Sequence, residues 1–229
     1  MFGWSPAWVA GLLFAACYVF VMSERFNRAN IALLFGGLMI FTGVVNQEQA
    51  IAGIDFNTIG LLIGMMLIVS VTRETGVFQY LAVWSAKKVK ASPWGILVML
   101  GLVTAFVSAF LDNVTTVLLI VPVTLVITEE LEISPYPFLF VEILCANIGG
   151  TATLIGDPPN IMIGSQVDLS FMDFLVHLAP AAAVVLAATF VPVWLIWGRR
   201  LRATPEARAR VMAFDEKSAL TDRGLLRKC

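Results

Sequence analysis

Charge is what this chain has little of. Only 14% of its residues are Asp, Glu, Lys or Arg, where a soluble domain carries about 25%. With 59% hydrophobic residues and a mean hydropathy of +0.87, an ordinary soluble core is excluded. Cysteine is also sparse. Cys17, Cys145 and Cys229 lie far apart without a CxxC pair, which argues against a zinc site or a disulfide framework. No basic residue precedes the first apolar run, so that run does not read as a signal peptide. The lone histidine, His177, falls near the end of a span and reads as interfacial rather than catalytic. Nothing in the chain marks a soluble enzyme, a nucleotide site or a nucleic-acid surface. The net charge of -1 says little about partners, because the charges are segregated by position.

What remains is a polytopic membrane protein. Apolar runs predict spans over 6–22, 31–45 and 56–71, each near the lower length limit of about 20 residues for crossing a bilayer. Residues 77–90 are shorter and end in Lys87, Lys88 and Lys90. With Tyr80 and Trp84 four apart, they read as an amphipathic helix in the interface. Pro93 starts a helix to Phe110, and a second arm is expected over 114–128, closed by Glu129, Glu130 and Glu132. Roughly 15 residues in that arm would reach about 22 Å, short of a hydrocarbon core of about 30 Å. A re-entrant hairpin is therefore expected. A last span covers 174–197, and 203–229 read as a polar tail. The expected divisions are 1–92, scaffold spans and interfacial helix; 93–134, hairpin; 135–168, broken helix; 169–198, final span; and 199–229, cytoplasmic linker.

Charge placement gives the expected orientation. With the N-terminus outside, all 15 Lys and Arg fall on the inner side. A tip that re-enters and a hairpin that crosses fully give the same count.

Two polar islands interrupt the apolar sequence. One is Leu111-Asp112-Asn113-Val114-Thr115-Thr116. The other runs from Asn147 through Gly149, Gly150, Thr151, Gly156 and Asp157-Pro158-Pro159 to Asn160. Carboxylates and helix breakers at membrane depth are costly unless they face protein or a cavity. Broken helix ends carry partial charges that hold ions, the usual substrate site of secondary transporters. If the islands meet, Asp112 and Asp157 share one cavity, repel each other, and can exchange a proton for a cation. The candidate binding residues are Asp112, Asn113, Thr115, Thr116, Asn147, Gly149, Gly150, Thr151, Gly156, Asp157 and Asn160, with Na⁺ expected near Asn113 and Gly150.

Plainer readings stand beside these. Asp157 before Pro158 also reads as an N-cap. Asp112-Asn113 also reads as an interfacial turn. Glu142 reads as near the inner surface and solvated. Cys145 could ligate a soft metalloid, although a buried thiol ordinarily packs as a small apolar group.

The two islands resemble the arsenite-efflux and Na⁺/H⁺-antiporter branch of the ion transporter superfamily, and P proteins of melanosomes are similar in the same places. Ile54-Asp55-Phe56-Asn57-Thr58 and Glu74-Thr75-Gly76-Val77-Phe78 are weaker echoes. The resemblance implies an all-α integral membrane fold. It is half of an elevator-type transporter with a re-entrant helical hairpin and a broken transmembrane helix. It implies no cofactor beyond a coupling Na⁺ or H⁺. Members have two inverted repeats and this chain carries one, so the second is expected from the same gene or a split partner, or from pairing as a homodimer. Sodium-coupled carboxylate symporters of the superfamily carry a Ser-Asn-Thr-like tip and an uncharged residue before Pro-Pro. Asp at both positions favours arsenite or antimonite efflux, or cation:proton exchange, over dicarboxylate uptake. Other classes remain as alternatives: an anion channel, and an intramembrane aspartyl protease, whose Gly-x-Gly-Asp pattern lacks its first Gly here. The substrate itself is not written in these residues.

Overall fold

A computed structural model of the chain describes residues 5–215 together with Leu220 and Leu226. Among these residues it is helical, with no strand. The chain divides into two compact units, residues 1–56 and 57–229.

The first unit holds α1 (Pro6–Met22), α2 (Arg28–Phe41) and α3 (Gln47–Ala52). Proline is accepted at the start of α1 because its missing N–H has no helical partner there. α2 begins at Arg28, ahead of the expected Ile31. Asn27 Oδ1 accepts from the backbone N–H groups of Ala29 and Asn30 and fixes that start. The polar stretch at 46–49, expected as a mere span end, instead opens α3. Asn46 Oδ1 accepts from Gln49 N at 2.7 Å, and Gln49 Oε1 accepts from Asn46 N at 3.1 Å, a reciprocal capping box. Ile31 is the only buried residue of α1 and α2, while Trp8, Phe14 and Leu33 stand exposed. Helices this apolar and this uncovered have lipid as their solvent.

The second unit holds α4 (Phe56–Glu74), α5 (Val77–Lys88), α6 (Pro93–Ser108), α7 (Asn113–Glu130), α8 (Tyr136–Gly150), α9 (Pro158–Val167), α10 (Phe171–Val193) and α11 (Pro205–Met212). A π-helical turn, Trp194–Gly198, prolongs α10. Its core is α6, which packs against α5, α7 and α8. α6 and α8 approach closely because small residues line their contact. A Cβ on Gly149 would lie 2.0 Å from the Ala105 carbonyl oxygen, and one on Gly101 would lie 3.0 Å from Cys145 Sγ. Small residues at such contacts let helix backbones touch where no hydrophobic force drives them together.

Among the described residues, three helices are long and apolar enough to cross a membrane: Phe56–Glu74, Asn113–Glu130 and Phe171–Gly198. The second of these corrects the hairpin arithmetic. α7 has 18 residues, because Glu129 and Glu130 form its last turn instead of ending it. At 1.5 Å per residue it reaches about 27 Å, so shortness no longer argues for re-entry.

Three further expectations change. α5 does not merely lie on a surface; Phe78, Ala82, Ser85 and Ala86 are buried, and the helix packs on α6 and α7. Within the expected tail or linker, residues 205–212 form a helix. α11 is capped by Thr204, whose hydroxyl accepts from Ala207 N, and it buries Ala207 and Val211 completely. Arg210 binds Glu130 and Glu132, and Arg208 donates to the Lys90 carbonyl. The α5–α6 and α7–α8 turns therefore lie at one end of this unit. Glu142, expected to be solvated, is 1% exposed. The expectations for Cys229 and most of 216–229 fall outside the described residues.

Candidate functional site

The hairpin turn and the break between α8 and α9 meet. Asn113 Nδ2 donates to Asn147 Oδ1 at 3.0 Å, joining the two islands directly. Asn147 is held in turn, its Nδ2 donating to the Ile143 carbonyl at 2.7 Å. Just inside, Ser108 Oγ donates to the Ala146 carbonyl at 2.7 Å. Thr153, in the break, donates its hydroxyl to the Ala109 carbonyl and accepts from Gly156 N. Asn160 reaches back from α9 to the Thr153 carbonyl at 2.9 Å and the Gly150 carbonyl at 3.3 Å. Gly156 packs against the Gly150 and Ser108 carbonyls so closely that a Cβ would lie 2.6 Å from each. Part of the irregular backbone is thus met by protein groups: the Ala109, Gly150 and Thr153 carbonyls and the Gly156 N–H.

The two aspartates differ in what they do. Asp112 is a working N-cap of α7; its Oδ1 accepts from Thr115 N at 2.9 Å. Asp157 occupies the N-cap position of α9 with no capping hydrogen bond from its side chain. Pro159 has no N–H to offer it, and the next one, on Asn160, donates to the Asp157 backbone carbonyl at 3.0 Å instead. Both aspartates are half-buried, so their negative charge is only partly in contact with solvent. No Lys or Arg lies between Lys90 and Arg199, so nothing basic within the islands offsets that charge.

The carbonyl end of α8 is partly occupied by protein donors. The last four carbonyls of α8 each hold one donor already. Asn147 accepts from Thr151 N, Ile148 from Thr151 Oγ1, Gly149 from Ala152 N, and Gly150 from Asn160 Nδ2. The Asp157 carboxylate, which caps nothing, is an oxygen group left for an ion. For an anion, Pro158 and Pro159 offer no N–H and Thr115 N is taken by Asp112.

Of the expected residues, Asp112, Asn113, Asn147, Gly150, Thr151, Gly156, Asp157 and Asn160 lie on or directly behind this junction. Thr115 contributes its backbone N–H. Gly149 has a packing reason of its own, the contact with Ala105. Thr116 is fully buried and points into the helix bundle. Ser108 and Thr153, which stitch the junction, were not foreseen. Their signal was a small-residue stripe, Gly101, Ala105 and Ser108, facing Gly149 and Gly150. Two apolar cavities flank the break, of about 450 Å³ and 360 Å³; neither is lined by Asp112 or Asp157.

A match to the citrate transporter family covers residues 18–229. The chain belongs to that family. It is 46% identical over 226 residues to an uncharacterized transporter of Mycobacterium tuberculosis, covering 96% of this chain and 52% of that protein. A 46 kDa membrane protein of Mycobacterium leprae is 44% identical over 225 residues, with the same coverage. The P protein of Sus scrofa is 37% identical over 204 residues, 84% of this chain and 24% of that protein. The chain spans about half the length of the mycobacterial relatives. The names of this family and its relatives are those of transporters and membrane proteins, not enzymes.

Proposed function

We propose that this chain forms one half of a secondary active transporter, with the Asp112–Asn113 turn and the Asn147–Asn160 break as half of its ion and substrate site. The observation that carries the reading is the Asn113–Asn147 bond, which joins the islands with Asp112 and Asp157 alongside. Thr115, Thr116, Gly149, Gly150, Thr151, Gly156 and Asn160 act around them as binding or shaping groups. The other half of the site comes from a second repeat, in the same protein or a split partner, and the assembled transporter is a homodimer of elevator type. The hairpin re-enters the membrane, the N-terminus is outside, and the C-terminal segment is cytoplasmic.

The chemistry favours positive or uncharged cargo at these residues. Each island carries a carboxylate, the first two residues of α9 have no N–H to donate, and the sequence from 91 to 198 carries no Lys or Arg. Arsenite or antimonite efflux and cation:proton exchange suit that balance. A carboxylate such as citrate suits it only when a cation or protons accompany the anion and cancel the repulsion. The coupling ion is Na⁺, held near Asn113 and Gly150, or H⁺, carried by the aspartates.

The test is transport in sealed vesicles by the full-length protein under an imposed pH gradient. Citrate, arsenite and Na⁺ are compared, each with and without divalent cations. Uphill movement of one of them that collapses with the gradient is expected. Current without counter-transport would mean a channel, and no movement of any of the three would overturn the reading.

A further inference from the structure

Away from the junction, a second polar cluster lies inside the bundle. Three faces converge there. α6 presents Gly101, Thr104, Ala105 and Ser108; α7 presents Thr116, Ile120 and Thr124; α8 presents Glu142, Cys145, Ala146 and Gly149, each set at helical spacing. Glu142 is the charged residue among them. Thr124 Oγ1 donates to its Oε1 at 2.5 Å, and Thr128 Oγ1 donates to the Thr124 carbonyl behind it.

The cluster is incompletely satisfied. Glu142 Oε2, Thr104 Oγ1 and Thr116 Oγ1 are buried and have no hydrogen-bond partner, and their residues are 1%, 0% and 0% exposed. Register places Thr104 level with Glu142. Ser108 bonds Ala146, and one turn back along both helices gives Thr104 and Glu142. Thr116 sits two turns from Thr124, on the way to the Asp112 turn. Buried polar atoms without partners in a native fold call for a ligand, water or proton.

We propose that Glu142 is a proton-binding site of this protein, sealed between α6, α7 and α8 and separate from the Asp112–Asp157 junction. Its neutral acid is the resting form, and the proton is taken up and released as the transporter works. The second statement rests on the transport reading above; the first does not.

The physical case is charge burial. An ionised carboxylate with one bare oxygen and one hydroxyl donor is poorly supported away from water, and the neutral acid is favoured there. No cation compensates. α6 carries no charged residue. α7 carries Asp112 at one end and Glu129 and Glu130 at the other, and α10 carries Asp173 and His177 in its first two turns. On α8 itself the titratable neighbour is Cys145, a buried thiol. A metal ion is a poor occupant, because a hard cation wants about six oxygens and this cluster offers the carboxylate and two or three hydroxyls among Gly101, Val141 and Cys145.

The test is infrared spectroscopy of the full-length protein in lipid, titrated with pH. A protonated carboxylic acid band is expected at neutral pH. It should vanish in Glu142→Gln and persist in Asp112→Asn and Asp157→Asn. Thr124→Val, which removes the hydroxyl and leaves the acid, should move the band to higher frequency. In vesicles, Glu142→Gln should flatten the pH dependence of transport while substrate still binds. Absence of any band difference between the native protein and a folded Glu142→Gln variant would overturn the proposal. So would displacement of the band by Na⁺ at constant pH. A band without transport would sink the transport reading alone, and transport without the band would sink this one alone.

Discussion

α6 and α10 are both apolar helices, yet they meet opposite surroundings. α6 buries nine of its 16 residues, and α10 buries three of its 23. The difference lies in where small residues meet a facing backbone, since α10 carries six alanines and buries only Ala182 of them. Gly101, Ala105 and Ser108 let α8 reach the α6 backbone, whereas α10 shows Val184, Val185 and Val191 outward. Apolar content therefore says which solvent a helix tolerates, and small or hydroxylated residues say which neighbour it keeps.

Breaking the tight side of that contrast should cost most. Gly149→Ala puts a Cβ where the Ala105 carbonyl already lies, so α6 and α8 must separate. We expect a loss of roughly 3 kcal/mol or more, seen as a large fall in folded yield and in the melting temperature in detergent. Val211→Asp should come next. It places a charge in the fully buried seat of α11, and protease cutting near residue 204 should then become rapid. Ser108→Ala removes one buried hydrogen bond to Ala146 and should cost about 1 kcal/mol in the same melting assay. On the loose side, Val184→Leu stands 69% exposed and should change stability by less than about 0.5 kcal/mol. Equal effects of Gly149→Ala and Val184→Leu would erase the comparison.

Much of this was written in local signals. Pro6, Pro93 and Pro158 mark the helix starts where they stand, and the Gly149-Gly150 pair marks where α8 gives out. Other local signals were present and misjudged. Asn46 with Gln49 is a capping box, and Thr204-Pro205-Glu206 is a helix start; polarity made both look like ends or tail. Glu129 and Glu130 looked like a stop because glutamate is costly in lipid, but a last turn can hold them at the surface. The meeting of the islands was expected from chemistry, and the Asn113–Asn147 bond gives it a geometry. Glu142 was not legible at all. Its burial depends on Thr124, 18 positions away, and no local pattern carries that.

The central claim is that Asp112 and Asp157 serve one ion. A double-mutant cycle in vesicle transport tests it most directly: Asp112→Asn, Asp157→Asn, and both together. The account predicts that each single change lowers coupled flux by roughly 100-fold or more and that the double is no worse than the more damaging single. Independent losses that multiply in the double variant, or full coupled flux in either single, would contradict it.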